Sequence, residues 1–284
     1  MVQILRPSLP QLLKVARDTA VSAGQLAREK WHTPRDVQSK GFRDLVTDVD
    51  VAAQKVIVAE ILQAFPDHGF LPEEEDDSLP QAGPIIWIID PIDGTTNYSR
   101  QQPNFAISVA ATRPIFDTQQ NITAYEPLVG AVYDPMRHEL YSAIKGEGAR
   151  LEDGSGHRHT LQVSNVDNLQ DAVLCLSLGS SEKRRQQAHK WLYAFNQDVF
   201  TVRSIGSATL SLVWVAAGRF DIYFNQNIKA WDMAAGALIL QEAGGAFSNL
   251  DGGEFDWFAP HAECVATNGR IHNTTLQILN DNKI

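Results

Sequence analysis

Cysteine is almost absent from this sequence. Among 284 residues the only two are Cys175 and Cys264, and each lies in an apolar, strand-like stretch. Two cysteines make a structural zinc site improbable, and their apolar settings predict buried free thiols rather than a disulfide. Free thiols are typical of a reducing compartment, so we expect a cytoplasmic protein.

Long apolar runs and excess positive charge are also missing. The first residues, MVQILRPSLPQLL, do not form the apolar core of a signal peptide, and no window is long enough to span a bilayer, so we expect no membrane contact. Lys and Arg number 24 against 34 Asp and Glu, a net charge of −10. Because phosphate backbones select basic surfaces, this balance argues against nucleic acid as the principal partner.

The apolar content is sufficient for a large core, at 44% of the residues. We predict one domain over residues 1–284, with an α+β half over about 1–150 and an α/β half over about 160–284. In the first half, helical periodicity predicts helices over 8–29, with Ser8 as N-cap, and over 49–65. Strands are predicted near 85–90, 105–112, 128–133 and 139–144, the later ones antiparallel because their connections are short.

The second half alternates strands and helices, which indicates α/β layering. Its predicted strands lie at 172–177, 199–203, 220–224, 246–249 and 264–267. Its predicted helices run over 182–195, 208–217 and 232–243. The loop over 153–159 contains two histidines, which we interpret as ordinary solvated side chains rather than metal ligands.

The most informative segment is Trp87-Ile88-Ile89-Asp90-Pro91-Ile92-Asp93-Gly94-Thr95-Thr96-Asn97. An apolar strand pattern is broken at Pro91 and Gly94, and two aspartates stand three residues apart at its end. Thr95, Thr96 and Asn97 are typical N-capping residues, so a helix should follow. Carboxylates suit hard cations and helix N-termini suit phosphate, which together favour a metal ion beside a phosphoryl group over a simple capped turn.

Three other acidic segments are open to two interpretations. Asp232 stands near a predicted helix start, where an N-cap role explains it as well as a metal-ligand role. In the acidic run after Pro72 only Glu73, next to the apolar edge, is a good ligand candidate, and the rest resembles a solvated loop. The acids from Asp44 to Asp50 could simply cap the helix that follows.

Taken in order, these segments resemble the inositol monophosphatase family of metal-dependent, lithium-sensitive sugar phosphatases. The resemblance covers about residues 10–270. It rests on DPIDGTTN at 90–97, on WDMAAG at 231–236 followed by EAGG at 242–245, and on two secondary patterns, RSIGSA at 203–208 and KGEGA at 145–149. It implies a layered αβαβα sandwich, a homodimer, and Mg²⁺-dependent hydrolysis of a small-molecule phosphate monoester, with two to three Mg²⁺ ions in each subunit.

The resemblance also implies roles for individual residues. The metal ligands would be Glu73, Asp90, the backbone carbonyl of Ile92, Asp93 and Asp232. The catalytic residues would be Asp50 and Thr95, which orient and deprotonate the attacking water, and Glu73. The substrate-binding residues would be Asp93, Gly94, Thr95, Gly206, Ser207, Ala208 and Asn225.

Position 225 departs from the family pattern, in which a glutamate commonly accepts hydrogen bonds from substrate hydroxyls. Asn225 brings no charge and adds hydrogen-bond donors. We therefore expect a phosphatase for myo-inositol 1-phosphate or a related polyol phosphate, with three alternatives on the same metal site. These are fructose 1,6-bisphosphate, histidinol phosphate and 3′-phosphoadenosine 5′-phosphate. An alternative of another class is a regulatory protein-binding role on the same scaffold.

Overall fold

The computed structural model describes residues 7–41, 44–259 and 262–284. Its N-terminal part contains α1 (Leu9–Glu29), β1 (Val37–Gly41), β2 (Asp44–Thr47), α2 (Asp48–Ala64), β3 (Gly69–Pro72), β4 (Ile86–Asp93) and α3 (Thr95–Ser99). There follow β5 (Ala106–Phe116), β6 (Ile122–Asp134), β7 (Glu139–Ile144), β8 (Ala149–Glu152) and β9 (Arg158–Thr160).

The C-terminal part begins with a short 3₁₀ turn (Leu169–Asp171). It continues with β10 (Val173–Leu176), α4 (Glu182–Asn196), β11 (Thr201–Arg203), α5 (Ala208–Ala216), β12 (Ile222–Ile228), α6 (Ala230–Glu242), β13 (Ala246–Ser248), β14 (Ala262–Thr267) and α7 (His272–Asp281). In the described part of the chain no helix has the length and apolar character needed to cross a membrane.

Two large sheets and three helix layers form the sandwich that the family resemblance implies, and β1 and β2 pair in a separate two-stranded sheet. The seven-stranded sheet has the order β3-β4-β5-β6-β7-β8-β9 and is antiparallel except for β3 with β4. The five-stranded sheet has the order β11-β10-β12-β14-β13, with β10 parallel to both of its neighbours. Helices α1 and α2 cover the outer face of the first sheet, α5 and α6 fill the space between the sheets, and α4 and α7 cover the second sheet.

Strand β4 shows why its sequence is apolar without alternation. Ile86 and Ile88 face the layer of α5 and α6, whereas Trp87 and Ile89 face α1 and α2. Both faces of the strand are buried, so every position between Ile86 and Ile89 must be apolar. The polar end of the strand, Asp90 to Asp93, follows directly after this buried apolar segment.

Several predicted boundaries are wrong, for identifiable reasons. Pro91 does not end β4, because the pairing with β5 shifts register between Asp90 and Asp93 and no ladder bond is required there. Gly94, rather than a Thr or Asn side chain, is the N-cap of α3. Helix α6 begins at Ala230, so Asp232 occupies its third position and is not the N-cap.

Candidate metal and phosphate site

Three carboxylates converge where β4 meets the start of α6. One oxygen from each of Asp90, Asp93 and Asp232 lies within 4.8 Å of the other two. The helix is held there by its backbone: the Ser108 hydroxyl donates to the Trp231 carbonyl at 3.2 Å, and the Thr209 hydroxyl donates to the Asp232 carbonyl at 2.9 Å. Residues distant in sequence thus form one acidic cluster, which contains three of the acids that the family resemblance implies as ligands.

The charges of this cluster are poorly compensated within the protein. Burial, together with repulsion from neighbouring carboxylates, raises the pKa of Asp90 and of Asp232 well above the usual range. Burial also raises the pKa of Asp93, against the opposing effect of hydrogen bonds from Ser207 and Thr209. Like charges held this closely in a buried site need added positive charge to ionise together.

Glu73 joins the cluster from the end of β3. Its backbone N–H donates to the Ile89 carbonyl at 3.0 Å, which places it beside the end of β4. Its carboxyl group is close enough to Asp90 for the charge of Glu73 to help raise the pKa of Asp90. Burial raises the pKa of Glu73 to about 7, although the ammonium group of Lys40 opposes the shift.

Lys40 and Gln54, neither of which was predicted from the sequence, support the Glu73 loop. The Lys40 ammonium group, on β1, lies 2.7 Å from a carboxylate oxygen of Glu74 and 3.4 Å from one of Glu73. The Gln54 side chain, on α2, donates to the Glu74 carbonyl at 2.7 Å and accepts from the Glu74 N–H at 3.1 Å. Neither contact has a local sequence signal, because each partner is at least 20 residues away.

Asp50 and Thr95 form a second polar pair next to the cluster. The Thr95 hydroxyl lies 3.0 Å from Oδ1 of Asp50 and 3.1 Å from the carbonyl of Ile92. The other oxygen of Asp50 accepts from the backbone N–H of Thr47 at 3.0 Å and from the Thr47 hydroxyl, which closes the first turn of α2. Burial raises the pKa of Asp50 to about 6 despite these bonds.

A close backbone approach positions Gly94 and Thr95. Gly94 has φ +99°, and a side chain there would place Cβ 2.9 Å from the Asn104 carbonyl. Thr95 follows as the first residue of α3, where backbone N–H groups have no acceptor within the helix. The Asn97 amide donates to the carbonyls of Asn104 and Ile205 at 2.7 and 2.8 Å, which ties this turn to the segment before α5.

The Gly206–Ala208 segment reaches the site through Asp93. The Asp93 carboxylate accepts from the Ser207 hydroxyl, from the Thr209 N–H at 2.7 Å and from the Ala208 N–H at 3.2 Å. The segment therefore lies beside the acidic cluster, and the Ser207 hydroxyl and the Ala208 N–H are bonded to Asp93. Thr209 is a further residue of the site, and no sequence pattern indicated it.

A cavity of about 280 Å³ opens beside the acidic cluster. The described residues around it are Asp93, Leu176, Ser177, Ser204, Gly206, Ser207, Ala208, Ser211, Tyr223, Asn225, Asn227 and Asp232. Apart from the two acids, every polar side chain in this set is an uncharged hydroxyl or amide. The predicted substrate residue Asn225 thus shares one cavity with the Gly206–Ala208 segment.

The donor set fits a hard divalent cation. Its side-chain ligand atoms are all carboxylate oxygens, and the backbone carbonyl of Ile92 is adjacent. Oxygen-only ligands of this kind match Mg²⁺ and not zinc or copper, which favour nitrogen and sulfur. Burial raises the pKa values of the four acids, and a bound cation would offset this effect by stabilising their ionised forms.

Fold and site together define a layered α+β protein with an acidic metal-binding centre beside a polar cavity. The chain belongs to the inositol monophosphatase family, whose sequence model matches residues 8–283. Among the curated relatives, Nus factor SuhB of Salmonella typhimurium is 36% identical over 276 residues, which cover 95% of this chain and 96% of the relative.

Solved structures agree with this assignment. The Thermotoga maritima IMPase has a TM-score of 0.81 and 32% identity, covering 95% of this chain and 97% of its own. An IMPase/NADP phosphatase complexed with Mg²⁺ and phosphate has a TM-score of 0.79 and 28% identity, covering 97% of each chain. Phosphatase chemistry with Mg²⁺ therefore occurs on this fold within the family.

Proposed function

We propose that this chain is a Mg²⁺-dependent phosphomonoesterase that hydrolyses myo-inositol 1-phosphate or a related polyol phosphate. The observation that carries the proposal is the convergence of Asp90, Asp93 and Asp232 next to the Asp50–Thr95 pair and a cavity whose other polar side chains are uncharged. In this assignment Glu73, Asp90, the Ile92 carbonyl, Asp93 and Asp232 hold two to three ions. When bound there, Mg²⁺ supplies charge neutralisation for a phosphate dianion and activation of water.

The protein's own residues account for the remaining chemistry. Gly94 and Thr95 offer backbone N–H groups to the phosphate at the start of α3. The Thr95 hydroxyl donates to Asp50, and its oxygen is available to accept a hydrogen bond from the attacking water. As the water attacks phosphorus, its proton passes to Thr95 while the Thr95 proton passes to Asp50, and the leaving alkoxide takes a proton from solvent. A base with a pKa of about 6 is ionised at neutral pH and still able to take a proton.

Cavity chemistry favours a polyol monophosphate over the three alternative substrates. Within the described lining there is no Lys or Arg for a second phosphate, as fructose 1,6-bisphosphate would need. Its one aromatic residue, Tyr223, is buried, which leaves no open ring on which the base of 3′-phosphoadenosine 5′-phosphate could stack. Position 225 is an amide and offers no charge to the ammonium group of histidinol phosphate.

The test is phosphate release by the purified protein with Mg²⁺, offering inositol 1-phosphate and the three alternatives in parallel, with a chelator control. Chelator-sensitive turnover led by inositol 1-phosphate supports the proposal. Turnover led by another substrate keeps the metal chemistry and reassigns the substrate. Absence of turnover for all four, with Mg²⁺ bound, rejects the enzymatic proposal. We also expect inhibition by lithium, as in the family.

A second candidate is a regulatory role, favoured by the relatives named Nus factor SuhB at 36% identity. The test is complementation of an Escherichia coli strain that lacks its own SuhB, with the wild-type chain and with Asp93→Asn. Rescue by both chains supports a role that needs no hydrolysis. Rescue by the wild type alone ties the function to the metal site, and rescue by neither rejects this candidate.

We further propose a homodimer in the cytoplasm, with no nucleic acid and no membrane as direct partner. Tyr193 and Phe200 are 74% and 73% exposed, and large exposed rings of this kind suit a self-association surface. Cys175 and Cys264 are both buried free thiols, as predicted, which suits a reducing compartment. Sedimentation equilibrium of the wild type and of Phe200→Asp tests the dimer.

A further inference from the structure

The side chain of Asn225, on β12, is hydrogen-bonded on both sides. Its amide nitrogen donates to the Tyr223 hydroxyl at 2.9 Å, and its oxygen accepts from the backbone N–H of Asn227 at 2.9 Å. Asn225 is only 6% exposed, yet it borders the cavity next to Asp93 and Asp232. The amide is thus held in one place before any substrate arrives.

Its orientation follows from the chemistry of its neighbours. A backbone N–H can only donate, so the atom that faces Asn227 must be the amide oxygen. The pairing of β12 with β14 shifts register between Asn225 and Ile228, and this irregularity frees the Asn227 N–H to bond the side chain. The nitrogen end of the amide is therefore directed toward Tyr223.

Two hydrogen-bond donors remain after these contacts. The amide nitrogen of Asn225 has a second hydrogen, because one is shared with Tyr223. The Tyr223 oxygen accepts from Asn225, and among the residues that the structure describes none accepts a hydrogen bond from the phenol proton. Burial raises the pKa of Tyr223 well above its usual value, so the phenol keeps this proton. Both residues line the cavity.

We propose that Tyr223 and Asn225 form an uncharged donor pair that determines substrate specificity. The pair selects phosphate monoesters whose alcohol carries an oxygen acceptor facing β12, such as a ring hydroxyl. This inference rests on the proposed function. It adds a specificity-determining residue, Tyr223, and a preference for substrates that accept hydrogen bonds at this position. The same pair disfavours an alcohol that presents an ammonium group, because a cation needs an acceptor or a negative charge there.

The first test compares two phosphate esters that share a six-membered ring, inositol 1-phosphate and cyclohexyl phosphate, which has no hydroxyl groups. Tyr223→Phe removes one donor and should lower kcat/KM for inositol 1-phosphate by about tenfold, since one hydrogen bond is lost. Its kcat/KM for cyclohexyl phosphate should stay unchanged. Tyr125→Phe, a buried tyrosine outside this cavity, is the matched control and should change neither value.

The second test replaces the hydrogen-bond donor at position 225 with a charged acceptor. Asn225→Asp should raise kcat/KM for histidinol phosphate relative to inositol 1-phosphate by about tenfold, because a carboxylate accepts from an ammonium group. An equal loss on inositol 1-phosphate and cyclohexyl phosphate in Tyr223→Phe, or an unchanged substrate ratio in Asn225→Asp, overturns the inference alone. Failure of the wild type to hydrolyse any of the three esters with Mg²⁺ overturns the proposed function and the inference with it.

Discussion

The hydroxyl of Thr95 lies 3.0 Å from Oδ1 of Asp50, although 45 residues separate them in the chain. Asp50 uses its other oxygen to close the first turn of α2 by accepting from Thr47. One carboxylate thus fixes a helix start with one atom and faces the Thr95 hydroxyl with the other. This division explains how a buried acid is held in a fixed position and still has an oxygen available for a proton.

If Asp50 and Thr95 act as one unit, their substitutions should not be additive. We expect Asp50→Asn and Thr95→Ala each to lower kcat by about 100-fold or more, and the double variant to lower it little further. Thr95→Ser keeps the hydroxyl and should retain most of the activity. Thr96→Ala, at the exposed neighbouring position, is the control. Losses that multiply in the double variant would show that the two residues act independently.

Asp93 should be required for metal binding. Asp93→Asn keeps the size of the side chain but removes a charge from the cluster, so we expect phosphate release to fall by at least about 100-fold. The rise in Tm on adding Mg²⁺ should also become smaller. Asp77→Asn, in the exposed acidic loop, should change neither quantity. Nearly undiminished hydrolysis in Asp93→Asn would contradict the two-metal assignment.

Metal removal should make stability depend on pH. Burial raises the pKa of Glu73 from 4.5 to about 7 in the folded protein, so the folded state binds protons more tightly than the unfolded chain. The associated stability is fully present below the unfolded value and is lost as pH rises through about 7. We expect the Tm in chelator to fall by several degrees between about pH 5 and 8, since ~1 kcal/mol moves it by roughly 2–4 °C.

Added Mg²⁺ should therefore raise the Tm more at the upper end of this pH range than at the lower end. Asp232→Asn removes one repelling charge and should flatten the profile in chelator. A Tm in chelator that stays constant or rises with pH over this interval would show that repulsion among these acids does not limit the stability of the metal-free protein.

Gln54 should affect metal affinity without contacting the metal. Gln54→Ala leaves the N–H and carbonyl of Glu74 without their buried partner, so we expect a loss of about 1–3 kcal/mol in the free energy of unfolding. The Glu73 loop should then bind Mg²⁺ more weakly, with kcat restored at saturating Mg²⁺. Gln63→Ala, at an exposed position of the same helix, is the control. Unchanged Mg²⁺ dependence would show that the loop does not need this support.

Long buried elements were predictable because their composition and periodicity are local properties. Helix α1 and the central strands β4 to β7 follow their patterns, and the layered fold is confirmed. The hairpin of β1 and β2 was missed, because the exposed strand β1 has no buried face to impose a pattern. Strand β3 was missed because four residues, one of them proline, give too little signal.

By itself, the sequence determined the family, the strand that ends in Asp90 and Asp93, and the set of acids able to hold a hard cation. These depend on residue types at short spacings. The tertiary structure decided that Asp232 and Glu73 reach the same cluster and that Thr95 faces Asp50. It also decided that Asp93 is bonded to the start of α5 and that the Asn225 amide turns its nitrogen toward Tyr223. The physical reason is that these contacts join separate elements, whose distances and side-chain orientations are set only when the layers pack.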